Sequence, residues 1–301
     1  MKNVLVLSYS QSGQLNEILS QFTSNLEANI EHVKIEMEHN FPFPWTPSAF
    51  YDAMPESVLE EPATIIEPKF KNDRYDLIIF GFQPWFLSPS IPTTSALKHP
   101  AIQKIMQDTP VMTILGSRNM WINAQESVKK MIFSAGGRLV GHIPLFDRSP
   151  NLLSAVAIVH WMMTGKKTRK WGVFPKPGVS DSDIQYMSEY APTVQPYLEK
   201  AEFDGMQDAI LAHGKIRILT NILFVESRAK KLFNIWAYKI KEKGTTPKKR
   251  RKWLRAFRIY LNVALFGISP IVLIIFNLII RPLTFTRIKK QKQYFCSINL
   301  K

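Results

Sequence analysis

The sequence predicts an α/β protein: a doubly wound parallel sheet, extended at its C-terminal side by membrane-associated helices. Three observations predict it. Short apolar runs recur at Val4–Leu7, Tyr75–Gly81 and Pro110–Gly116, the pattern of parallel strands buried on both faces. Each run passes into a loop rich in glycine, hydroxyl or aromatic residues. A long uncharged segment, Ile259 to Ile280, lies between clusters of basic residues near the end of the chain.

The first run ends in Ser8-Tyr9-Ser10-Gln11-Ser12-Gly13-Gln14, and the spacing of Leu15, Ile18, Leu19 and Phe22 then opens a helix. A strand that delivers a hydroxyl-rich turn to a helix N-terminus is a socket for phosphate, because free backbone N–H groups and the positive end of the helix dipole face the anion. The turn lacks the lysine of a Walker A loop and the three spaced glycines of a dinucleotide fingerprint. Neutral donors suit a small terminal phosphate that stays in place, such as that of FMN. The pattern resembles the flavodoxin type, and the resemblance implies contacts from Ser10, Gln11, Ser12, Gly13, Gln14 and Leu15. Leu15 stands where that type carries a second hydroxyl, and Gln14 is the expected substitute donor.

The second run leads into Phe82-Gln83-Pro84-Trp85-Phe86-Leu87-Ser88, the third into Ser117-Arg118-Asn119-Met120-Trp121. In a doubly wound sheet, ligands sit beyond the C-terminal ends of the strands. An isoalloxazine ring needs flat apolar walls and a few polar groups at its edge. Pro84, Trp85, Phe86 and Leu87 are expected to form one wall; Gly116, Ser117, Asn119, Met120 and Trp121 are expected on the other side. Arg138–Leu145, after Gly136-Gly137, reads as a further strand, and Leu152–Met163 as an apolar helix. Asp147, Arg148 and His160 are the other ionisable residues to place relative to a pocket. The organisation expected is residues 1–200 as a flavodoxin-like FMN-binding domain, 201–243 as a basic amphipathic helical segment, and 244–301 as a basic apolar tail.

Charge separates these parts. The formal net charge is +15, yet no Asp or Glu follows Glu242. The preceding part is close to neutral, so nucleic acid is not the expected partner. Basic clusters beside an uncharged segment read as contacts with anionic lipid, and Trp253 suits the interface. Pro270, in the middle of that segment, leaves two geometries open: a kinked span and a re-entrant hairpin. The stripe Ile218, Ile222, Val225, Ala229, Leu232, Trp236 and Ile240 places an amphipathic helix before it, suited to a membrane interface or to packing on the α/β domain. One cysteine, Cys296, excludes an internal disulfide, and a cytoplasmic setting follows. The six histidines show no metal-ligand spacing, so no metal is expected, and no G-x-S-x-G nucleophile elbow occurs.

A narrower resemblance covers roughly the first 200 residues. Tyr9–Leu15, Phe41–Trp45, Pro55–Leu59, Leu87–Pro92, Arg118–Trp121 and Trp161–Lys166 together resemble the flavodoxin-like proteins encoded with dialkylresorcinol and flexirubin-type pigment biosynthesis in bacteria, the DarA type. The resemblance implies an FMN-dependent aromatase that oxidises an alkylated cyclohexanedione to a resorcinol. Arg118 is then the expected catalytic residue, holding the acidic diketone as its enolate. Phe41–Trp45 is expected to receive alkyl chains. The cytoplasmic face of the inner membrane is the expected location, and a homodimer is an expectation by resemblance. The alternatives are an NAD(P)H-dependent quinone reductase, and a membrane-tethered electron carrier or scaffold without turnover.

Overall fold

A computed structural model describes residues 1–300. The first apolar run forms β1 (Asn3–Ser8), and the hydroxyl-rich turn delivers it to α1 (Gln14–Thr23). There follow β2 (Asn29–Lys34), the short helices α2 (Pro47–Asp52) and α3 (Met54–Val58), and β3 (Leu77–Phe82). Next come α4 (Ile91–Lys98), α5 (Pro100–Met106), β4 (Pro110–Ser117), α6 (Ile122–Ser134), β5 (Arg138–Phe146) and α7 (Asn151–Thr164). Three short helices, α8 (Asp181–Gln185), α9 (Ala191–Lys200) and α10 (Met206–Ala212), precede the long α11 (Thr220–Lys243).

All five strands are parallel, in the order β2-β1-β3-β4-β5. This is the flavodoxin-like order, and its topological switch point lies between β1 and β3. Side chains alternate across each strand. Val4 and Val6 join Leu15, Ile18, Leu19 and Phe22 of α1 on one face; Leu5 and Leu7 join Leu97, Ile102 and Ile105 of α4 and α5 on the other. The edge strand β2 carries no apolar run, because half of it faces solvent. That is why its sequence, Asn-Ile-Glu-His-Val-Lys, gives so little strand signal.

The α/β unit continues past residue 200, the boundary expected from sequence. Met206 and Ile210 of α10 are fully buried in the same core as β5. Segment 201–243 is therefore divided, with its first part belonging to the sheet. α11 packs on α3 through Phe233 and Ala237 and on α6 through Glu226 and Asn123.

The uncharged segment lies in one continuous helix, α12 (Pro247–Leu283), long and apolar enough to cross a membrane by length and composition. Its most apolar window has a mean hydropathy of 2.7 and is only 6% buried. The re-entrant hairpin does not form. Pro270 sits near the start of the regular stretch Ser269–Ile275, directly after a π-helical turn at Val263–Ile268. The looser turn absorbs the missing N–H and the ring bulk that would break a tighter helix.

Both flanks of α12 are docked on the α/β unit. Arg250 reaches Asp52 at 2.6 Å and Glu56 at 2.8 Å. Beyond its far end, α13 (Phe285–Cys296) returns to α6: buried Lys129 donates to Ser297 O and Asn299 O, at 2.9 and 3.1 Å. Phe257 packs with Phe233 at 5.4 Å, and Phe276 stacks on Phe224 at 3.9 Å. Between these contacts α12 runs roughly 28 Å while α11 runs roughly 13 Å. The longer helix must bow away from the shorter, and the space so opened is part of the cavity described next.

Candidate functional site

A cavity of about 600 Å³ opens at the C-terminal ends of β1, β3 and β4, within the size range of small-molecule sites. At one end lies the β1–α1 loop. Gly13 adopts a left-handed φ of +86° and begins α1 without a side-chain cap, so the first-turn amides keep their donors free. Ser12 lines the cavity. Ser10 and Gly13 do not line the cavity, although both were expected at the site; Ser10 Oγ is buried without a hydrogen-bond partner among the described residues, as is Gln83 Nε2, which is on the cavity wall. The Gln11 side chain ties the loop down: it accepts from Tyr9 OH at 2.5 Å and donates to Pro42 O at 2.8 Å.

Gln14 departs from expectation. Its amide exchanges two buried bonds with Val179, Nε2 to Val179 O and Val179 N to Oε1, both at 3.0 Å. It latches the loop before α8 over the β1–α1 loop and is not a free substitute donor. Gly178 is needed there, because a Cβ would stand 2.6 Å from Gln14 Oε1 and 2.7 Å from the Trp161 ring. Leu15 touches the cavity, but its side chain is 97% buried in the core, leaving the backbone amide as its polar contribution.

The wall after β3 is a two-residue turn. Trp85 pairs antiparallel with Ser88, and the central residues Phe86 and Leu87 have φ of +47° and +63°. Such turns normally take Asn-Gly, and two bulky residues in the left-handed region cost on the order of 1–3 kcal/mol each. The turn is held from behind. Ser57 Oγ donates to Trp85 O and Pro89 O, both at 3.1 Å, and Lys230 Nζ of α11 bonds Ser88 Oγ. Pro84, Trp85, Phe86 and Leu87 all face the cavity. Phe41 and Trp45 meet Trp85 edge-on, at 5.0 and 5.1 Å, so this wall is a rigid aromatic block.

After β4, Gly116, Ser117, Arg118 and Met120 face the cavity. Asn119 and Trp121 do not, contrary to expectation. Asn119 is buried and donates to Asn151 Oδ1 at 2.8 Å; Trp121 is 98% buried, with its ring 5.2 Å from that of His142. Both side chains turn into the interior. Arg118 Nη1 donates to Asn151 O at 3.0 Å and to Asn151 Oδ1 at 2.8 Å. Its other nitrogens remain for a ligand. Burial pushes its pKa down to about 10, opposed by the charges of Asp147 and Glu226. It stays cationic at neutral pH.

Asp147, Arg148 and His160 lie off the cavity. Asp147 accepts from Ser149 N at 2.8 Å and Ser154 Oγ at 2.6 Å, steadying the start of α7. Arg148 pairs with Asp183 at 2.9 Å on the surface. His160 sits on the outer part of α7 and accepts Thr164 Oγ1 through its carbonyl.

The sequence reading missed the remaining walls. Ala155, Ile158 and Met162 of α7, Val225 and Ala229 of α11, and Tyr260, Leu261 and Ala264 of α12 close the cavity opposite the loops. Their sequence signals were the apolar runs Leu152–Met163 and Ile259–Ile280 and the α11 stripe, none of which pointed to a cavity, and the structure divides the stripe. Ile218 and Ile222 are buried, Val225 and Ala229 line the cavity with Leu232, and Trp236 and Ile240 pack against α12. The cavity's ionisable groups are Tyr51, Arg118, Arg228 and Tyr260, two cations and two phenols.

No family model matches the chain, and no curated protein matches it. Solved structures do. A flavoprotein in complex with FMN from Lactobacillus acidophilus NCFM is 17% identical over 48% of this chain and 93% of that one, with a TM-score of 0.41. A flavodoxin from the domain Archaea is 11% identical over 65% and 99%, with a TM-score of 0.36. A flavone reductase is 9% identical over 67% and 66%, with a TM-score of 0.35. The strand order, not these matches, assigns the fold.

Proposed function

We propose that this chain is an FMN-dependent oxidoreductase that aromatises an alkylated cyclohexanedione to a dialkylresorcinol. The observation that carries the reading is one continuous cavity joining an uncapped, hydroxyl-bearing helix N-terminus to an aromatic wall and Arg118. The residues fit the cofactor. The first-turn amides of α1 with Ser12 would hold its phosphate, and the orphaned Gln83 Nε2 on the cavity wall is a buried polar atom in need of a ligand. Trp85 and Phe86 would wall the ring. When bound, FMN supplies a two-electron acceptor for hydride.

The chain's own groups then have a defined task. A cyclohexane-1,3-dione is acidic and enters as its enolate, having already released its proton. Arg118 Nε and Nη2 would hold that anion in a site partly shielded from water. Loss of hydride from the ring carbon next to the enolate leaves a neutral cyclohexenedione, which becomes the resorcinol by moving two protons from ring carbon to oxygen. No carboxylate or imidazole base is required, in keeping with the two cations and two phenols that line the cavity.

Membrane attachment belongs to the same reading. The exposed apolar face of α12 and its basic flanks support seating at the cytoplasmic face of the inner membrane. Because both flanks dock on one α/β unit, α12 would dip into the facing leaflet rather than link two compartments.

Incubating the FMN-loaded full chain with a dialkylated cyclohexane-1,3-dione tests the activity. Formation of the resorcinol, minus two hydrogens by mass, is the result expected. Consumption of NADPH with a lipophilic quinone, and no reaction of the dione, would make the chain a quinone reductase instead.

A further inference from the structure

The cavity is chemically divided. Its loop end carries the polar groups Gln11, Ser12, Gln83 and Arg118, whereas the end between α11 and α12 is lined mainly by apolar side chains such as Val225, Ala229, Ala264 and Val272. Phe43 and Trp45 of the segment expected to receive alkyl chains also line the cavity, with Trp45 against Trp85 of the aromatic wall. The mouth of the apolar end is marked by residues that line the cavity and are also exposed: Val159 (49%), Leu232 (45%), Phe266 (46%) and Ile268 (50%). An opening rimmed on three helices by such residues is costly in water. It sits on the helix whose apolar window is 6% buried.

A second feature places lipid nearby. Just beyond α7, Lys166, Lys167, Arg169 and Lys170 precede Trp171 and Val173, which are 78% and 77% exposed. Basic residues around an exposed tryptophan suit a headgroup layer. The α/β unit thus offers its own bilayer contact, next in sequence to the helix that carries Val159.

We propose that the space between α11 and α12 is a binding groove for a single extended alkyl chain, entered sideways from the bilayer through the Val159–Leu232–Phe266–Ile268 mouth. An amphiphile would slide its chain along Ala229 and Ala264 while its polar head advances to Arg118. The tail is then a wall of the site as well as an anchor. This rests on the reading of the loop end as the flavin end.

The test is equilibrium binding of 5-pentadecylresorcinol and 5-pentylresorcinol to the full chain in nanodiscs of phosphatidylcholine and phosphatidylglycerol, at matched bilayer concentrations. FMN content is read on the same samples. The wild-type chain should prefer the pentadecyl compound by about tenfold or more, because the longer chain makes packing contacts along the groove that the pentyl chain does not reach. Ala264→Trp, and independently Ala229→Phe on the opposite wall, should remove that preference and leave pentylresorcinol affinity and FMN content within about twofold. A wild-type chain indifferent to chain length overturns the groove, as do folded variants that keep the preference. Chain-length preference in protein that takes up no FMN upholds the groove and removes the flavin reading. FMN uptake without the preference does the reverse.

Discussion

Glu226 lies on the buried side of α11 and accepts from Asn123 N at 2.8 Å, capping α6 from another helix. Its second oxygen has no partner among the described residues, and burial raises its pKa to about 8 against the pull of the α6 amides. The folded protein therefore binds a proton here that the unfolded chain releases near pH 4.5. The associated stability is full below that value and is lost as pH rises through about 8, on the order of 4–5 kcal/mol at most. Glu226→Gln keeps the cap and removes the titration, so its melting temperature should fall less than that of the wild type between about pH 5 and pH 8. Parallel melting curves would contradict the assignment. At Gln14 the stake is packing: Gln14→Ala strands Val179 N and O in the interior and should lower stability by about 2–3 kcal/mol. Arg118→Ala should reduce kcat/KM on the dione by about a hundredfold, with Arg118→Lys recovering part of it. Equal rates in all three would exclude Arg118 from holding the enolate.

At the scale of elements, the three strand-to-loop units at the cavity were legible because each pairs an unbroken apolar run with an abrupt change of composition. That contrast exists only where a strand is buried on both faces and its following loop lines the cavity. β2, half exposed, lacked it. So did the inward or outward turn of individual loop residues: nothing in Arg118–Trp121 as a string tells that Met120 faces the cavity while Trp121 fills the core. The latch of Gln14 onto Val179 joins residues far apart in the chain, beyond the reach of local pattern. The continuous course of α12 through Pro270 depended on a π turn that composition does not announce. The α11–α12 contact is open to test. Phe257 is fully buried among Tyr51, Phe86, Phe233 and Trp236, so Phe257→Ala should cost about 3–5 kcal/mol in thermal or denaturant unfolding. A loss below about 1 kcal/mol would mean that the two helices are not packed as described.

Across the whole molecule, charge and hydropathy divide the labour. A near-neutral α/β unit builds the polar end of the cavity, and a basic apolar tail builds the other end and, in the proposed reading, would supply the lipid contact. Removing residues 244–301 should release the protein from liposomes in a flotation assay and weaken turnover of long-chain diones more than short-chain ones. Equal turnover of both by the shortened chain would separate the tail from the site. All of this depends on what the loop end binds. The most direct test is the visible absorption spectrum of the freshly purified full chain in detergent, with the released cofactor identified by mass. The account predicts a yellow protein carrying FMN, or one that takes it up on reconstitution. A colourless protein that cannot be loaded with FMN would contradict it.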